Sequence, residues 1–203
     1  MIAAGERYHP FSRGSNKLRI FFEPVDFETF LLQLSWIVEK YGWRLYAYCL
    51  MPNHYHLLIR VSDAGLSEGM RDLNGGFSRW TSKKYGRVGH LFQNRFGLKR
   101  IADEQAFLVA ARYIVFNPVE AGLCAQVADW PWSSYRATVG EEPAPEWLDV
   151  AGLLEHFDVF APGRPRDGYR RFVADAPSAV SGTDRAVSRD FHSASLAAPR
   201  SRS

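Results

Sequence analysis

Two histidines flanking one tyrosine form the sequence feature with the clearest chemical potential. The segment His54-Tyr55-His56 leads into the apolar run Leu57 to Ile59, which is typical of a buried β-strand. Alternate residues of a strand point to the same side, so both imidazoles project together while Tyr55 faces the other way. Two imidazoles at this spacing can share one divalent cation. Taken alone, the pattern also fits two partly exposed histidines on a sheet.

A tyrosine and an asparagine four residues apart, Tyr113 and Asn117, can complete such a site from one helix face. The amide oxygen of Asn117 offers a further metal ligand, and Tyr113 brings its phenol beside the same cation. A phenol ionises only near pH ~10, but an adjacent divalent cation lowers the cost of the phenolate. Such a tyrosine can attack phosphorus and keep the bond energy in a phosphotyrosine for rejoining. The alternative is an amphipathic tyrosine at the margin of the core.

The elements that must position these residues follow from the hydrophobic pattern. The predicted helices are one capped by Asp26 and ending at Gly42, one over 66–85, and one that starts at Asp103 or Glu104 and is terminated by Pro118. The predicted strands cover 8–12, 43–50, 54–61 and 96–101. The run Leu57 to Ile59 indicates a central strand. The order β-α-β-β-α-β-α favours an α+β fold, an antiparallel sheet with packed helices.

Composition narrows the class of protein. The chain has 203 residues, 46% of them hydrophobic and 14% aromatic, which is typical of a globular domain. It has no apolar stretch of membrane-spanning length and no secretory h-region near its start, so no membrane partner is expected. Cys49 and Cys124 are far apart and in no metal-binding spacing. We therefore expect reduced thiols in a cytoplasmic protein.

Positive charge is concentrated in the first half of the chain. Residues 1–100 carry 15 Lys and Arg against 8 Asp and Glu, whereas residues 101–203 carry 10 against 14. This asymmetry predicts a polyanionic partner, although a solvated helix face gives the same pattern. Basic residues mixed with aromatic ones favour single-stranded DNA. The candidate DNA contacts are Arg13, Lys83, Lys84, Arg87, Arg95, Lys99 and Arg100. His9 is assigned no role.

Five blocks of sequence, in order, carry a resemblance to a known family. They are YHPFSRGSN (8–16), MPNHYHLLI (51–59), GHLFQNRF (89–96), YIVFNPVEAGL (113–123) and WPWSSY (130–135). Over residues 7 to 137 the chain resembles the REP-associated tyrosine transposases, which are HUH-type enzymes related to insertion-sequence transposases.

The resemblance implies a role for each chemical residue. His54 and His56 fall on the metal-binding histidine pair, Tyr113 on the catalytic tyrosine and Asn117 on the third ligand. It implies a ferredoxin-like or RRM-like sheet with helices packed on one face. It also implies cleavage and rejoining of single-stranded DNA at hairpins through a 5′-phosphotyrosine, with Mg²⁺ or Mn²⁺. Both a monomer and a homodimer stay open.

The extent of the resemblance, together with the Ala-, Ser-, Pro- and Arg-rich composition after Ala176, suggests a division of the chain. Residues 1–140 are expected to form the HUH-type transposase domain, 141–175 a C-terminal extension with short helices, and 176–203 a disordered tail.

Three positions depart from the family pattern. Pro10 stands where a β-branched residue is usual, which predicts a short or kinked first strand. Glu120 and Gly97 replace residues that are usually basic, and both changes remove positive charge near the expected DNA contacts. Two other functions stay open: metal-dependent hydrolysis with Tyr113 as scaffold, and a catalytically silent hairpin-binding protein.

Overall fold

A four-stranded antiparallel sheet forms the centre of the protein. The computed structural model describes residues 2–62 and 65–175. Its strands are β1 (Arg7–Arg13), β2 (Arg44–Met51), β3 (His54–Arg60) and β4 (Gly97–Ile101), and its helices are α1 (Pro24–Lys40), α2 (Leu66–Tyr85), α3 (Glu104–Glu120), α4 (Tyr135–Val139), α5 (Val150–Leu154) and α6 (Pro165–Ala174). Short 3₁₀ helices cover Ser15–Lys17, Val127–Asp129 and Glu155–Phe160. The predicted α+β class and the order of the first seven elements are confirmed.

The strands lie in the order β2-β3-β1-β4. Strand β3 is therefore central, as its apolar run predicts. Its pairing with β1 sets Phe11 opposite His56 and Arg13 opposite His54. Antiparallel neighbours in register share a face, so these four side chains belong to one side of the sheet. None of the helices in the described part of the chain could span a membrane.

The helices cover both faces of the sheet, not one. Tyr55 points toward α1 and α2, where its ring lies 4.6 Å from Phe30 and its hydroxyl donates to Asn74. His56, the next residue, points to the opposite face, where α3 supplies Tyr113. The expectation of helices on one face holds for α1 and α2 but is wrong for α3. The reason is that β3 is buried on both sides and each side needs an apolar cover.

Two predicted helix ends are wrong, each for a local reason. Asp26 is not the N-cap of α1; the N-cap is Glu23, and the buried carboxylate of Asp26 accepts hydrogen bonds from the Phe22 and Glu23 amides. Pro118 does not terminate α3, which continues to Glu120. Proline removes only one donor, so a last turn can continue past it when the following amides find acceptors. The Ala121 amide does so by donating to the Asn117 carbonyl.

Pro10 lies inside a full-length strand. β1 spans seven residues, and its pairing with β4 runs without a break from Arg7 to Phe11. Its pairing with β3 includes residues 7, 8 and 11–13 but is interrupted at His9 and Pro10. Proline has no amide hydrogen to give to a ladder. The predicted shortening is therefore wrong for the strand as a whole, and the effect is confined to the side that faces β3.

The helices after residue 140 pack on the domain. Helix α5 contacts β2, and α6 contacts α3, α4 and the 3₁₀ helix Glu155–Phe160. Phe157 and Tyr169 are fully buried between them. The tail predicted for 176–203 lies outside the described residues.

A buried polar network ties the two central strands to α2. The Asn74 side chain accepts a hydrogen bond from the Tyr55 hydroxyl at 2.7 Å. Its amide nitrogen donates to Ser12 Oγ at 2.8 Å and to the Arg95 carbonyl at 2.7 Å. All polar atoms of this side chain are thus used, and they fix β1, β3, α2 and the loop before β4 relative to one another.

Replacing Asn74 should be costly because it leaves buried partners without hydrogen bonds. We expect Asn74→Ala to lower the free energy of unfolding by about 2–3 kcal/mol. Asn94→Ala, the same change at an exposed position, should cost less than about 0.5 kcal/mol. Urea denaturation of the two variants measures the difference, and equal midpoints would contradict the structural role of the network.

Candidate active site

The two histidines of β3 lie side by side beneath α3. The ring centroids of His54 and His56 are 5.0 Å apart and the rings are perpendicular, at 89°. Two imidazoles bound to one ion through nitrogens about 2.1 Å away place their centroids on the order of 5 Å apart. The pair therefore has the separation that a shared cation requires.

Both imidazoles are held at Nδ1. His54 Nδ1 lies 2.6 Å from Asn53 Oδ1, and His56 Nδ1 lies 2.8 Å from Nε2 of His9. The Asn53 amide is itself oriented, because its Nδ2 donates to the Lys17 carbonyl at 3.0 Å. With Nδ1 engaged in this way, coordination of a metal by either residue would use Nε2.

His9 is a site residue that sequence reasoning missed. It is fully buried in β1, opposite Lys99 of β4. Burial, together with the nearby Lys99 ammonium, lowers the pKa of His9 to about 3, so the imidazole is neutral. The available signal was the alternation of His9, Phe11 and Arg13 on one face of the strand. That signal points to the site only when β1 is known to pair with β3.

Tyr113 meets the histidines from α3. Its ring centroid lies 5.6 Å from that of His56 and 6.0 Å from that of His9. The side chain is only 8% exposed. Burial raises the pKa of Tyr113 to about 12, and the Glu120 carboxylate adds to the rise, whereas hydrogen bonding to Asn117 and the Arg13 guanidinium oppose it. The phenol is therefore protonated and close to the imidazoles in this state of the protein.

Asn117 lies one turn after Tyr113 on the same helix and is buried. Its amide nitrogen donates to the Tyr113 carbonyl at 3.3 Å. Its role as a metal ligand stays a prediction. In the described ranges, 2–62 and 65–175, no group of three or more His, Cys, Asp or Glu is arranged to hold a metal ion. Two imidazoles and one amide oxygen would leave coordination positions for phosphate oxygens and water, as Mg²⁺ and Mn²⁺ prefer.

The structure separates the seven basic residues predicted to contact DNA. Arg13 and Lys99 lie on the histidine face, since Arg13 pairs with His54 and Lys99 with His9. Lys84 instead forms ion pairs with Asp26 and Glu23, and Arg100 pairs with Glu6. These two cations have carboxylate partners within the protein. The remaining three lie outside this face: Lys83 at the end of α2, Arg87 near the Phe22 ring, and Arg95 beside a groove.

Gly97 is explained by close packing. A Cβ at this position would lie 2.2 Å from the Phe11 ring, so no larger residue fits while Phe11 occupies the histidine face. A larger side chain at position 97 would therefore require the Phe11 ring to move.

A groove of about 640 Å³ lies on the other side of the sheet, between α2 and the loop before β4. It is lined by Arg71, Asn74, His90, Asn94 and Arg95, among others. His90 is thus well separated in the fold from the His54 and His56 pair, which faces α3.

Comparison with known proteins gives consistent results. Residues 7–117 match the family described as "Transposase IS200 like". A putative REP-associated tyrosine transposase of Haemophilus influenzae is 32% identical over 120 residues, which cover 53% of this chain and 68% of that protein. A REP-associated tyrosine transposase of Escherichia coli K12 is 27% identical over 115 residues, 56% of this chain and 66% of that protein. The matches thus span about two thirds of each relative.

A solved structure shares the fold. The structure of a REP-associated tyrosine transposase bound to a REP hairpin superposes with a TM-score of 0.60 and 18% sequence identity. The match covers 71% of this chain and 86% of that one. At this identity the likeness establishes the architecture.

The raised pKa of Tyr113 can be measured directly. We expect the ¹³C signal of the Tyr113 phenol to shift with a midpoint near pH 12 in metal-free protein. The usual midpoint of a tyrosine is about 10. NMR of protein with ¹³C-labelled tyrosine gives the midpoint, and Tyr113→Phe identifies the resonance. Because the folded state favours the protonated phenol, the stability it contributes is complete below about pH 10 and is lost as pH rises further. A midpoint at or below pH 10 would contradict burial of the phenol.

Proposed function

Because the chain belongs to the IS200-like transposase family, we propose that it cuts and rejoins single-stranded DNA at hairpins, with Tyr113 as the nucleophile. The observation that carries this proposal is the contact between a helix-borne phenol and a strand-borne imidazole pair, at 5.6 Å between the rings of Tyr113 and His56. This placement is what a nucleophile beside a metal-bound phosphate requires, and it supports the proposal.

The chemistry conserves bonds and protons. The Tyr113 oxygen attacks the scissile phosphorus, the bond from phosphorus to the upstream 3′-oxygen breaks, and the DNA 5′-phosphate becomes linked to the tyrosine. The phenol loses one proton and the departing 3′-oxygen gains one. Attack by another 3′-hydroxyl on the phosphotyrosine reverses these steps and restores Tyr113.

We propose that His54, His56 and the amide oxygen of Asn117 hold Mg²⁺ or Mn²⁺. The bound cation would neutralise charge on a phosphoryl oxygen and favour the phenolate. The protein's own residues provide the rest. Asn53 and His9 hold the two imidazoles, Asn117 donates to the backbone of its own helix, and the Arg13 guanidinium favours negative charge on the phenol.

Activation of the phenol is needed before attack. In the absence of DNA and metal, the pKa of Tyr113 is about 12, so only a small fraction is ionised at neutral pH. Positive charge added beside the ring would lower that value. We therefore infer that a cation bound beside the ring is what activates the phenol.

A hairpin substrate is proposed from the relatives. The solved structure with the same fold is described as bound to a REP hairpin. In the present chain, Arg13 and Lys99 flank the histidines on the α3 face and offer positive charge to a DNA backbone.

The decisive experiment is a covalent trap. A single-stranded oligonucleotide with a hairpin and a 5′ extension, incubated with Mg²⁺ or Mn²⁺, should give a protein–DNA adduct that survives denaturation. Tyr113→Phe should abolish the adduct and His56→Ala should lower its yield at least about 100-fold. Gel electrophoresis of labelled DNA measures both, and removal of the cation with EDTA should have the same effect as His56→Ala.

The matched control is Tyr135→Phe, since Tyr135 is also buried and also belongs to one of the five sequence blocks but lies in α4. It should form the adduct normally. Cleavage without an adduct in the unaltered protein would instead favour hydrolysis. Hairpin binding without cleavage would favour a silent DNA-binding protein.

The position of the basic residues predicts different effects on DNA binding. Lys99→Gln should weaken hairpin binding and reduce the slope of log affinity against log salt by about 0.7 to 0.9. Lys84→Gln should leave that slope unchanged and lower stability, because the buried Asp26 carboxylate loses its cation. Fluorescence anisotropy at several salt concentrations measures the slope for each variant, and urea denaturation measures its stability. The reverse pattern would show that the α3 face is not the DNA-binding face.

A further inference from the structure

His9 is enclosed by the residues of the candidate site. Its ring centroid lies 4.9 Å from His56, 5.5 Å from Phe11 and 6.0 Å from Tyr113. It is 0% exposed, so DNA in solution does not reach it directly. Any contribution of His9 to the site must therefore act through a neighbouring side chain.

The contact between His9 and His56 contains a single proton. Their nitrogens, Nε2 of His9 and Nδ1 of His56, are 2.8 Å apart, which is a hydrogen-bond distance and requires one donor and one acceptor. If His56 donates, its Nε2 keeps a lone pair. If His9 donates, the proton of His56 is at Nε2, and that nitrogen has no lone pair for a metal.

His54 shows which arrangement the site uses. The partner of its Nδ1 is Asn53 Oδ1 at 2.6 Å, and a carbonyl oxygen can only accept. The amide cannot be turned around without losing the 3.0 Å hydrogen bond from Asn53 Nδ2 to the Lys17 carbonyl. His54 therefore donates from Nδ1 and presents Nε2 with its lone pair.

We propose that His9 is a positioning residue that accepts a hydrogen bond from Nδ1 of His56 and so makes Nε2 of His56 a metal ligand. His9 thus does for His56 what Asn53 does for His54. Partners of this kind orient metal-binding imidazoles and fix their tautomer. The inference rests on the proposed function in one respect only, namely that a metal binds to the histidine pair.

The first test reads the tautomer without metal or DNA. In protein with ¹⁵N-labelled histidine, long-range ¹H–¹⁵N spectra distinguish protonated from unprotonated ring nitrogens, and His56→Gln identifies the His56 signals. We expect the proton of His56 at Nδ1 and none at Nε2. A His56 ring protonated at Nε2 in the unaltered protein would overturn the inference.

The second test measures metal affinity with turnover blocked. Mn²⁺ is titrated into Tyr113→Phe protein bound to a hairpin oligonucleotide, and the EPR signal of unbound Mn²⁺ gives the affinity. Adding His9→Met removes the acceptor and should weaken Mn²⁺ binding about 10- to 100-fold. Adding His9→Gln supplies an amide oxygen as acceptor and should restore most of the affinity. His90→Met, at an exposed histidine beside the groove, should leave it unchanged.

The outcomes separate this inference from the proposed function. Equal Mn²⁺ affinity with His9 and with Met at position 9 would refute the role of His9 while leaving the metal site intact. Failure of the Tyr113→Phe parent to bind Mn²⁺ would overturn the proposed metal chemistry and this inference together. Loss of affinity in His9→Met that His9→Gln does not rescue would mean that His9 only fills space.

Discussion

The register between β1 and β3 is the constraint on which the site depends. Phe11 pairs with His56 and Arg13 with His54, so every second residue of both strands faces α3. A shift of β1 by one residue relative to β3 would turn His9, Phe11 and Arg13 to the other face, away from the histidine pair. The buried network of Asn74 with Ser12 and Tyr55 holds this register from the opposite side. The two faces of the sheet are thus linked: packing against α2 keeps the histidines in place under α3.

Burial gives the site its electrostatic character. His9 and Tyr113 are both neutral because desolvation disfavours their charged forms, which lowers the pKa of the imidazole and raises that of the phenol. These two neutral groups do not attract ions, and the Glu120 carboxylate disfavours the negative charge of a phenolate. Positive charge therefore has to come from Arg13 nearby and from whatever binds. If Tyr113 is the nucleophile, as proposed, this arrangement keeps its phenol protonated until a cation binds beside it.

Local sequence patterns predicted the elements well and their ends less well. The order of strands and helices, the central position of β3 and the opposite orientation of Tyr55 all follow from periodicity. The ends of α1 and α3 depend on local hydrogen bonds that the order of residue types does not reveal. Asp26 lies inside α1 instead of capping it, and α3 continues past Pro118. Pro10 was tolerated in an inner strand because β4 pairs with the side of the backbone that proline leaves intact.

The sequence by itself determined the chemical groups of the site: two imidazoles on one side of a strand, and a phenol and an amide on one side of a helix. These depend on spacing within a single element, which the chain carries locally. Only the tertiary structure decided that α3 covers the face opposite α1 and α2, that Lys84 and Arg100 are paired with carboxylates, and that His9 contacts His56. Those facts depend on which strands are neighbours and on which face a helix packs, and neither is encoded in the spacing of any one segment.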